Sequence, residues 1–438
     1  MDAGTARFPM NWPSSLWAET ALPLSSTVAG LEGDHAADVV IVGAGYTGLC
    51  AALRVAERGL KPVVIDANAV GWGASGRNGG VVSTKFRVSL PGVARSHGVE
   101  MARRMYELGH DAVAEVERLV ETHEIEAADF RLCGNLRCAH NEVAMRGIAD
   151  EAEIMAKTFG DRSIRVLDRE EVAAETGSRD FVGGTLGTHS GAIHPLNYAR
   201  GLARALLRKG GAIFEETPAL SIERTGAGIA VTTPKGRVSA RHLILATNGY
   251  SDLTPATGPV RRAVIPFRSA MVATAPMGDN LFATVMTERR SYSETRRMMR
   301  WFRPFGSRMI FGGRGAFGKA DSQPAFAALE KAMVQIFPQL EGTPITHRWS
   351  GLVAMTLDSL PQVGRVDERT AFAMGYNGTG IAMASLMGGR VADLALGDTP
   401  ELALLAAPAP KNVPFYAIRE PAVRAVAGWY QFLDAIGR

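Results

Sequence analysis

The chain has 438 residues and a mass of 46.7 kDa, enough for two or three domains. With 46% apolar and 21% charged residues it is not a disordered chain, and three cysteines (Cys50, Cys133, Cys138) give neither a disulfide framework nor a zinc-ligand spacing. The net charge of +4 rests on 40 Arg and only 8 Lys, which a GC-rich genome would supply or carboxylate recognition would use.

Residues 1–35 carry Pro9, Pro13, Pro23, Trp12 and Trp17 and read as an irregular arm whose tryptophans pack on the body. The run from Ala37 to Val42 is a buried strand, the apolar positions Leu49, Ala52, Leu53 and Ala56 form a helix that Gly59 ends, and Pro62 to Asp66 is a second strand. Residues 99–121 and 141–157 read as amphipathic helices, and residues 212–232 as short strands with a turn at Gly226. Arg241 to Ala246 is a further buried strand. Residues 263–275 and 308–313 read as strands of a second sheet and 325–337 as a helix. Ala371 to Met374 is a strand that runs into GYNGTG (Gly375 to Gly380) and a helix from Ile381 to Leu396. The last segment puts Val423, Val426, Tyr430 and Leu433 on one helical face, which suits a docking helix better than a membrane-surface helix with a Lys-rich polar face. The uncharged run Val39 to Leu53 holds three glycines and is too short for a membrane span, and no signal pattern opens the chain, so a cytoplasmic location with no integral membrane contact is expected.

The pattern GxGxxG occurs at Gly43/Gly45/Gly48, Gly71/Gly73/Gly76 and Gly313/Gly315/Gly318, so spacing alone decides nothing. Only the first copy joins a β-branched strand to an apolar helix, and only it has an acid, Asp66, 18 residues past Gly48. Gly43 permits the tight turn, Gly45 lets backbone N–H groups reach a pyrophosphate, Gly48 lets helix and strand pack, and Asp66 accepts from a ribose. The second strand–Gly–helix junction, near residue 378, offers a helix N-terminus to the far end of a long dinucleotide such as FAD.

Asp38 to Asp66, GWGASGRNGG (Gly71 to Gly80), ATNGY (Ala246 to Tyr250) and WSGLVAMTLDSLPQVGR through GYNGTGI (Trp349 to Ile381) resemble the D-amino-acid oxidase/glycine oxidase family of flavoproteins. SLWAET (Ser15 to Thr20) and AIHPLNYARGLARAL (Ala192 to Leu206) are similar to its γ-glutamylputrescine oxidase-like branch, and the resemblance spans roughly residues 15–400. It implies an α/β protein in which a Rossmann-like FAD domain is interleaved with a substrate domain on a mostly antiparallel sheet. The expected segments are an arm (1–35), FAD domain (36–95, 166–262, 349–400), substrate domain (96–165, 263–348) and a C-terminal docking helix (401–438). The cofactor residues it implies are Gly43, Gly45, Tyr46, Thr47, Gly48, Asp66 and Ala67 around pyrophosphate and ribose. Gly73, Ala74, Ser75, Arg77, Asn78, Gly79 and Gly80 would lie beside pyrophosphate and flavin, and Ala219 at the adenine. Ala246, Gly249, Gly351, Asn377, Gly378, Thr379, Gly380 and Ile381 would surround ribityl and ring. Where some relatives attach flavin through a Cys, Ser350 to Met355 has none, so FAD is expected to be non-covalent.

The resemblance implies oxidation of an amine to an imine, with O2 as the usual electron acceptor. The glycine-oxidase-like carboxylate Arg is replaced by Val353, and the strand that carries an oxygen-activating Lys in sarcosine-oxidase-like members reads Met309-Ile310-Phe311. Eight arginines lie between Arg289 and Arg314 with Glu294 as the only acid. Trp301 and Arg303, alternate residues of one strand, are expected to form an apolar wall and an anion clamp, with Lys85 and Arg87 as a second clamp. Two clamps suit a small anionic amine, either iminodiacetate- or sarcosine-like or a γ-glutamyl amine. A dehydrogenase that passes electrons to a quinone or carrier protein and a non-redox flavin-fold or RNA-modifying protein are the alternatives. No nucleic-acid partner and a monomer or small homo-oligomer are expected, and His189 and His194 read as packing or hydrogen-bonding residues.

Overall fold

In the computed structural model, which describes residues 11–24, 28–226, 228–316 and 321–435, the β-branched run Val39–Val42 lies in the centre of a nine-stranded sheet. Its strand, Gly33–Val42, pairs in parallel with Pro62–Ile65 on one side and Gly236–Leu245 on the other, so all four residues of Val39–Val42 are buried. Fully apolar strands of this kind belong to a sheet covered on both faces. Ala212–Phe214 extends one edge, and Thr370–Met374, Gln362–Arg365 and Ala406–Ala407 extend the other. The antiparallel strands Ile229–Thr233 and Ser221–Arg224 branch from Gly236–Leu245. Helices Tyr46–Glu57, Val99–Thr122, Pro195–Arg208 and Gly380–Ala395 share one apolar core with this sheet.

A second sheet of eight strands runs in the order Ile345–Met355, Ile265–Thr274, Arg308–Ala316, Arg300–Phe305, Ser291–Glu294, Asn135–Ala139, Gly183–Gly187, Ile164–Leu167. All of its pairs are antiparallel except Asn135–Ala139 with Ser291–Glu294. Helix Gln323–Ile336 buries Phe326, Leu329, Met333 and Ile336 in the core of this sheet.

The two expected domains are present, but several boundaries move. Strands Ile164–Leu167 and Gly183–Gly187 belong to the second sheet, so the first substrate-domain segment continues past residue 165. Helix Val99–Thr122, assigned to that domain by position, buries Met105, Leu108 and Val116 in the core of the nucleotide-binding domain, because its apolar stripe faces that way. Residues 349–355 complete a strand of the second sheet, and Ala406–Ala407 joins the first. The arm packs as expected: Leu16 and Trp17 are fully buried against Leu196, Ile310 and Trp349, and Trp12 is partly buried beside them. The C-terminal helix, Arg419–Ala435, is anchored at its start by an Arg419–Asp252 ion pair of 2.8 Å, but Val426 and Trp429 are 52% and 57% exposed. Of the face expected to dock, Val423 is half-buried, and the side chains of Tyr430 and Leu433 lie outside the described residues. Among the described residues no helix is long and apolar enough to cross a membrane.

Candidate active site

The first glycine turn is built as its sequence demands. Gly43 has φ +115°, and a Cβ there would lie 2.8 Å from the Ala246 carbonyl oxygen. A Cβ on Gly48 would overlap the carbonyl oxygen of Gly43, so helix and strand can approach only with glycine there. Helix Tyr46–Glu57 starts with Gly45 at its N-cap, which supplies no side-chain cap; Tyr46 N donates to Ser75 Oγ (3.0 Å), and the helix N-terminus opens where the resemblance expects a pyrophosphate. Asp66 accepts from Ala44 N (2.7 Å) and Asn68 N (2.8 Å), and burial raises its carboxyl above the usual range. It therefore braces the turn and also lines the cavity in front of it.

That cavity encloses about 1240 Å³ between the two sheets. Drug-sized ligands occupy about 300–1,000 Å³, so there is room for a dinucleotide and a substrate together. Every cofactor residue expected from sequence lines it except Gly48, Gly80 and Gly249. Gly48 lies behind the turn, Gly80 pairs through its carbonyl with Ile193 N (2.9 Å), and Gly249 lies against the backbone of Leu352 and Ala354. The glycine turn, the glycine walls and the helix Gly380–Ala395, which starts at the cavity, fit an FAD. None of the three cysteines lines it.

Trp301 lines the cavity, its ring packed between Gly79 and Gly312. Arg303 does not. Strand alternation does put it on the face of Trp301, but it lies beneath the Arg77–Gly80 loop and is 1% exposed. There Nη1 donates to Gly80 O (2.6 Å) and Ile193 O (3.0 Å), and the guanidinium carbon is 5.5 Å from the Trp17 ring centre. Burial lowers its pKa to about 10. Two backbone carbonyls and an aromatic face engage this cation away from the cavity, although its buried Nε has no partner among the described residues, so the expected clamp at Arg303 is not made.

Four other arginines of that window are also engaged. Arg290 meets Glu175 (3.1 Å), Arg296 meets Glu294 and Asp180, Arg300 meets Glu294, and Arg308 donates to Thr274 O (2.8 Å). Glu175 and Asp180 come from a distant stretch of sequence, which is why the window looked short of acids. Arg296 and Arg297 also line the cavity.

One row of residues runs across the second sheet, opposite one another in register: Trp349, Met271, Gly312, Trp301, Ser293, Arg137 and Thr185; Met271, Trp301, Ser293, Arg137 and Thr185 of this row form the cavity floor. The row is apolar and aromatic at the Trp349 end and polar at the Arg137 end. Arg137 pairs with Glu151 at 2.8 Å, and Asn135, two residues earlier on the same face, accepts from Lys85 Nζ at 3.4 Å. Lys85 is open to the cavity yet surrounded by protein; desolvation, aided by Arg137, lowers its ammonium to about 8. Lys85, expected with Arg87 as a second clamp, thus lines the cavity with Arg137 as a further cation nearby. Arg87 lines the cavity as well.

Sequence reasoning missed several lining residues. Tyr250 OH accepts from Leu352 N (3.1 Å), and Tyr376 OH bonds Thr47 Oγ1 (2.7 Å). Tyr250 stood in the quoted ATNGY segment next to Gly249, but nothing in the sequence says which of the two faces the cavity. Val353 lines the cavity, and Met309, Ile310 and Phe311 are fully buried. His194 is a hydrogen-bonding residue: it caps helix Pro195–Arg208 by accepting from Asn197 N and meets Thr20 Oγ1 at 3.0 Å.

The family model for DAO, FAD dependent oxidoreductase, matches residues 38–394. The chain belongs to this family of FAD-dependent oxidoreductases. It is 33% identical to the probable oxidoreductase OrdL of Rhizobium meliloti over 90% of this chain and 92% of that protein. It is 28% identical to the gamma-glutamylputrescine oxidoreductase of Escherichia coli over 91% of this chain and 93% of that one. In fold it is similar to the glycine oxidase of Geobacillus kaustophilus, with a TM-score of 0.72, 21% identity, and 85% and 98% of the two chains covered. The family acts on amine or amino-acid C–N bonds, which removes the non-redox alternative.

Proposed function

We propose that this chain oxidises an amine whose carboxylate lies about 10 Å from the reacting C–N bond, the pattern of a γ-glutamyl amine, with O2 as electron acceptor. The observation that carries this reading is the placement of charge along the cavity floor. Trp301 and Arg137 lie two strands apart, and neighbouring strands are about 4.8 Å apart, so the cation is about 10 Å from the aromatic contact. A carboxylate held by Lys85 and Arg137 would leave the amine end of such a substrate beside Trp301 and the glycine loop. Iminodiacetate- and sarcosine-like substrates need a cation close to the amine, and the Arg303 expected to supply it is engaged elsewhere. The name of the Escherichia coli relative agrees with the longer class.

FAD, when bound, would accept the hydride, which carries both electrons, as the C–N bond becomes C=N and the nitrogen gives up a proton. The chain's own residues bind and orient: Lys85 and Arg137 fix the acid end, Trp301 limits rotation of the other, and the apolar floor at Met271 excludes water. Water would then hydrolyse the imine to an aldehyde and ammonia, and O2, taking the two electrons and two protons removed from the amine, would become H2O2. Anaerobic mixing of the yellow protein with γ-glutamyl amines, iminodiacetate, sarcosine and glycine tests the substrate class. Bleaching by the γ-glutamyl amines alone is expected; bleaching by the short acids alone would overturn it. Peroxide formed in air separates O2 from a quinone or carrier protein as acceptor.

A further inference from the structure

Behind the Arg77–Gly80 loop, three donors from three separate parts of the chain take three of its carbonyls. Trp349 Nε1 donates to Arg77 O (3.1 Å), Trp17 Nε1 to Asn78 O (2.8 Å) and Arg303 Nη1 to Gly80 O (2.6 Å). None of these donors lines the cavity, whereas Arg77, Asn78, Gly79 and Val81 do. In a trans peptide the C=O of one residue and the N–H of the next point to opposite sides. Carbonyls held from behind therefore turn the N–H groups of Asn78, Gly79 and Val81 to the cavity side. Among the described residues the Asn78 and Gly79 N–H groups have no partner. Glycine makes the arrangement possible: a Cβ on Gly79 would lie 2.5 Å from the Trp301 ring, and one on Gly80, whose φ is +70°, would lie 2.6 Å from Arg303 Nη1.

We infer that Trp17, Trp349 and Arg303 are positioning residues that aim these backbone N–H groups at the flavin ring, so that the N-terminal arm is part of the cofactor site. The inference rests on reading this loop as the seat of the ring. Trp17 precedes the family segment, which starts at residue 38. It is fully buried, with its ring 5.0 Å from Phe305 and 4.9 Å from His194, so its N–H is held in place. Donors fixed in advance toward a group that gains negative charge favour its reduced form without reorganisation.

Trp17→Phe keeps the aromatic packing and removes one N–H. Its expected effects are about tenfold weaker FAD binding, shifted visible absorption bands and a lowered reduction potential of the bound flavin. Arg303→Met should shift the potential in the same direction, and Arg303→Lys, which keeps a donor cation, should restore it. A lower melting temperature with wild-type FAD affinity, spectrum and potential in Trp17→Phe would overturn the inference, whether or not Arg303→Met folds. Gly45→Val, checked for folding by circular dichroism, distinguishes the two levels. If it loses FAD while Trp17→Phe is unchanged, only the positioning role falls. If it keeps FAD as the wild type does, the cofactor-site reading falls, and the inference with it.

Discussion

Replacing Lys85 with Met removes one charge from the polar end of the cavity and keeps most of the side chain's length. Its ammonium contacts Asn135 at 3.4 Å, on the sheet face that carries Arg137. A charge-assisted hydrogen bond is worth about 1.5–3 kcal/mol, so kcat/KM for an acidic amine should fall about 10- to 150-fold, mainly through KM. An amine without a carboxylate should be oxidised equally well by both proteins. The pH profile supplies a second reading. Desolvation lowers Lys85 from 10.5 to about 8, so the ammonium is present below that value and is lost as pH rises through it. In the wild type, kcat/KM for the acidic substrate should therefore decline above about pH 8. Lys85→Met should lack this limb, and Lys85→Arg should move it to higher pH. Steady-state rates measured from about 2 pH units below this pKa to about 2 above it, with matched acidic and neutral amines, provide the measurement. Equal loss on both amines, or an unchanged pH limb in Lys85→Met, would refute the proposed contact.

Three further predictions follow from the geometry. Acid precipitation of the holoenzyme should leave a colourless pellet, because no cysteine lines the cavity; a yellow pellet would show covalent flavin. Gly48→Ala places a Cβ into the Gly43 carbonyl, so it should cost about 1–3 kcal/mol of stability and most of the bound FAD, read as melting temperature and flavin content of the purified protein. His194 is 3% exposed, and burial lowers its pKa from 6.5 to about 4. The unfolded chain therefore binds the extra proton between these values, and stability is full above about pH 6.5 and lost as pH falls toward 4. Melting temperature should drop through that window in the wild type and drop less in His194→Asn, which keeps the helix cap.

The nucleotide half of the site could be read from the sequence because its residues are neighbours in the chain. Gly43, Gly45, Gly48 and Asp66 fall within one strand–turn–helix–strand unit, and local spacing is what builds it. The substrate half could not be read this way. Trp301, Ser293, Arg137 and Thr185 face one another only through strand register, and one of those pairings is parallel and joins segments far apart in the chain. Arg303 shows the limit of alternation. It correctly places the side chain on the face of Trp301, but it says nothing of the loop that covers that end of the strand. Helix Val99–Thr122 shows a related limit, since its apolar stripe is visible in sequence but the core it joins is not.

The cavity floor also has a consequence for relatives. Strand separation in a sheet is fixed by backbone hydrogen bonds, so the floor acts as a ruler graduated in steps of about 4.8 Å. A cation moved from Asn135–Ala139 to the adjacent strand Ser291–Glu294 would shorten the preferred substrate by one graduation, and one moved to Gly183–Gly187 would lengthen it by one. Substrate length in this architecture would then change in discrete increments, through single substitutions on a rigid sheet, while the flavin-binding loops remain as they are.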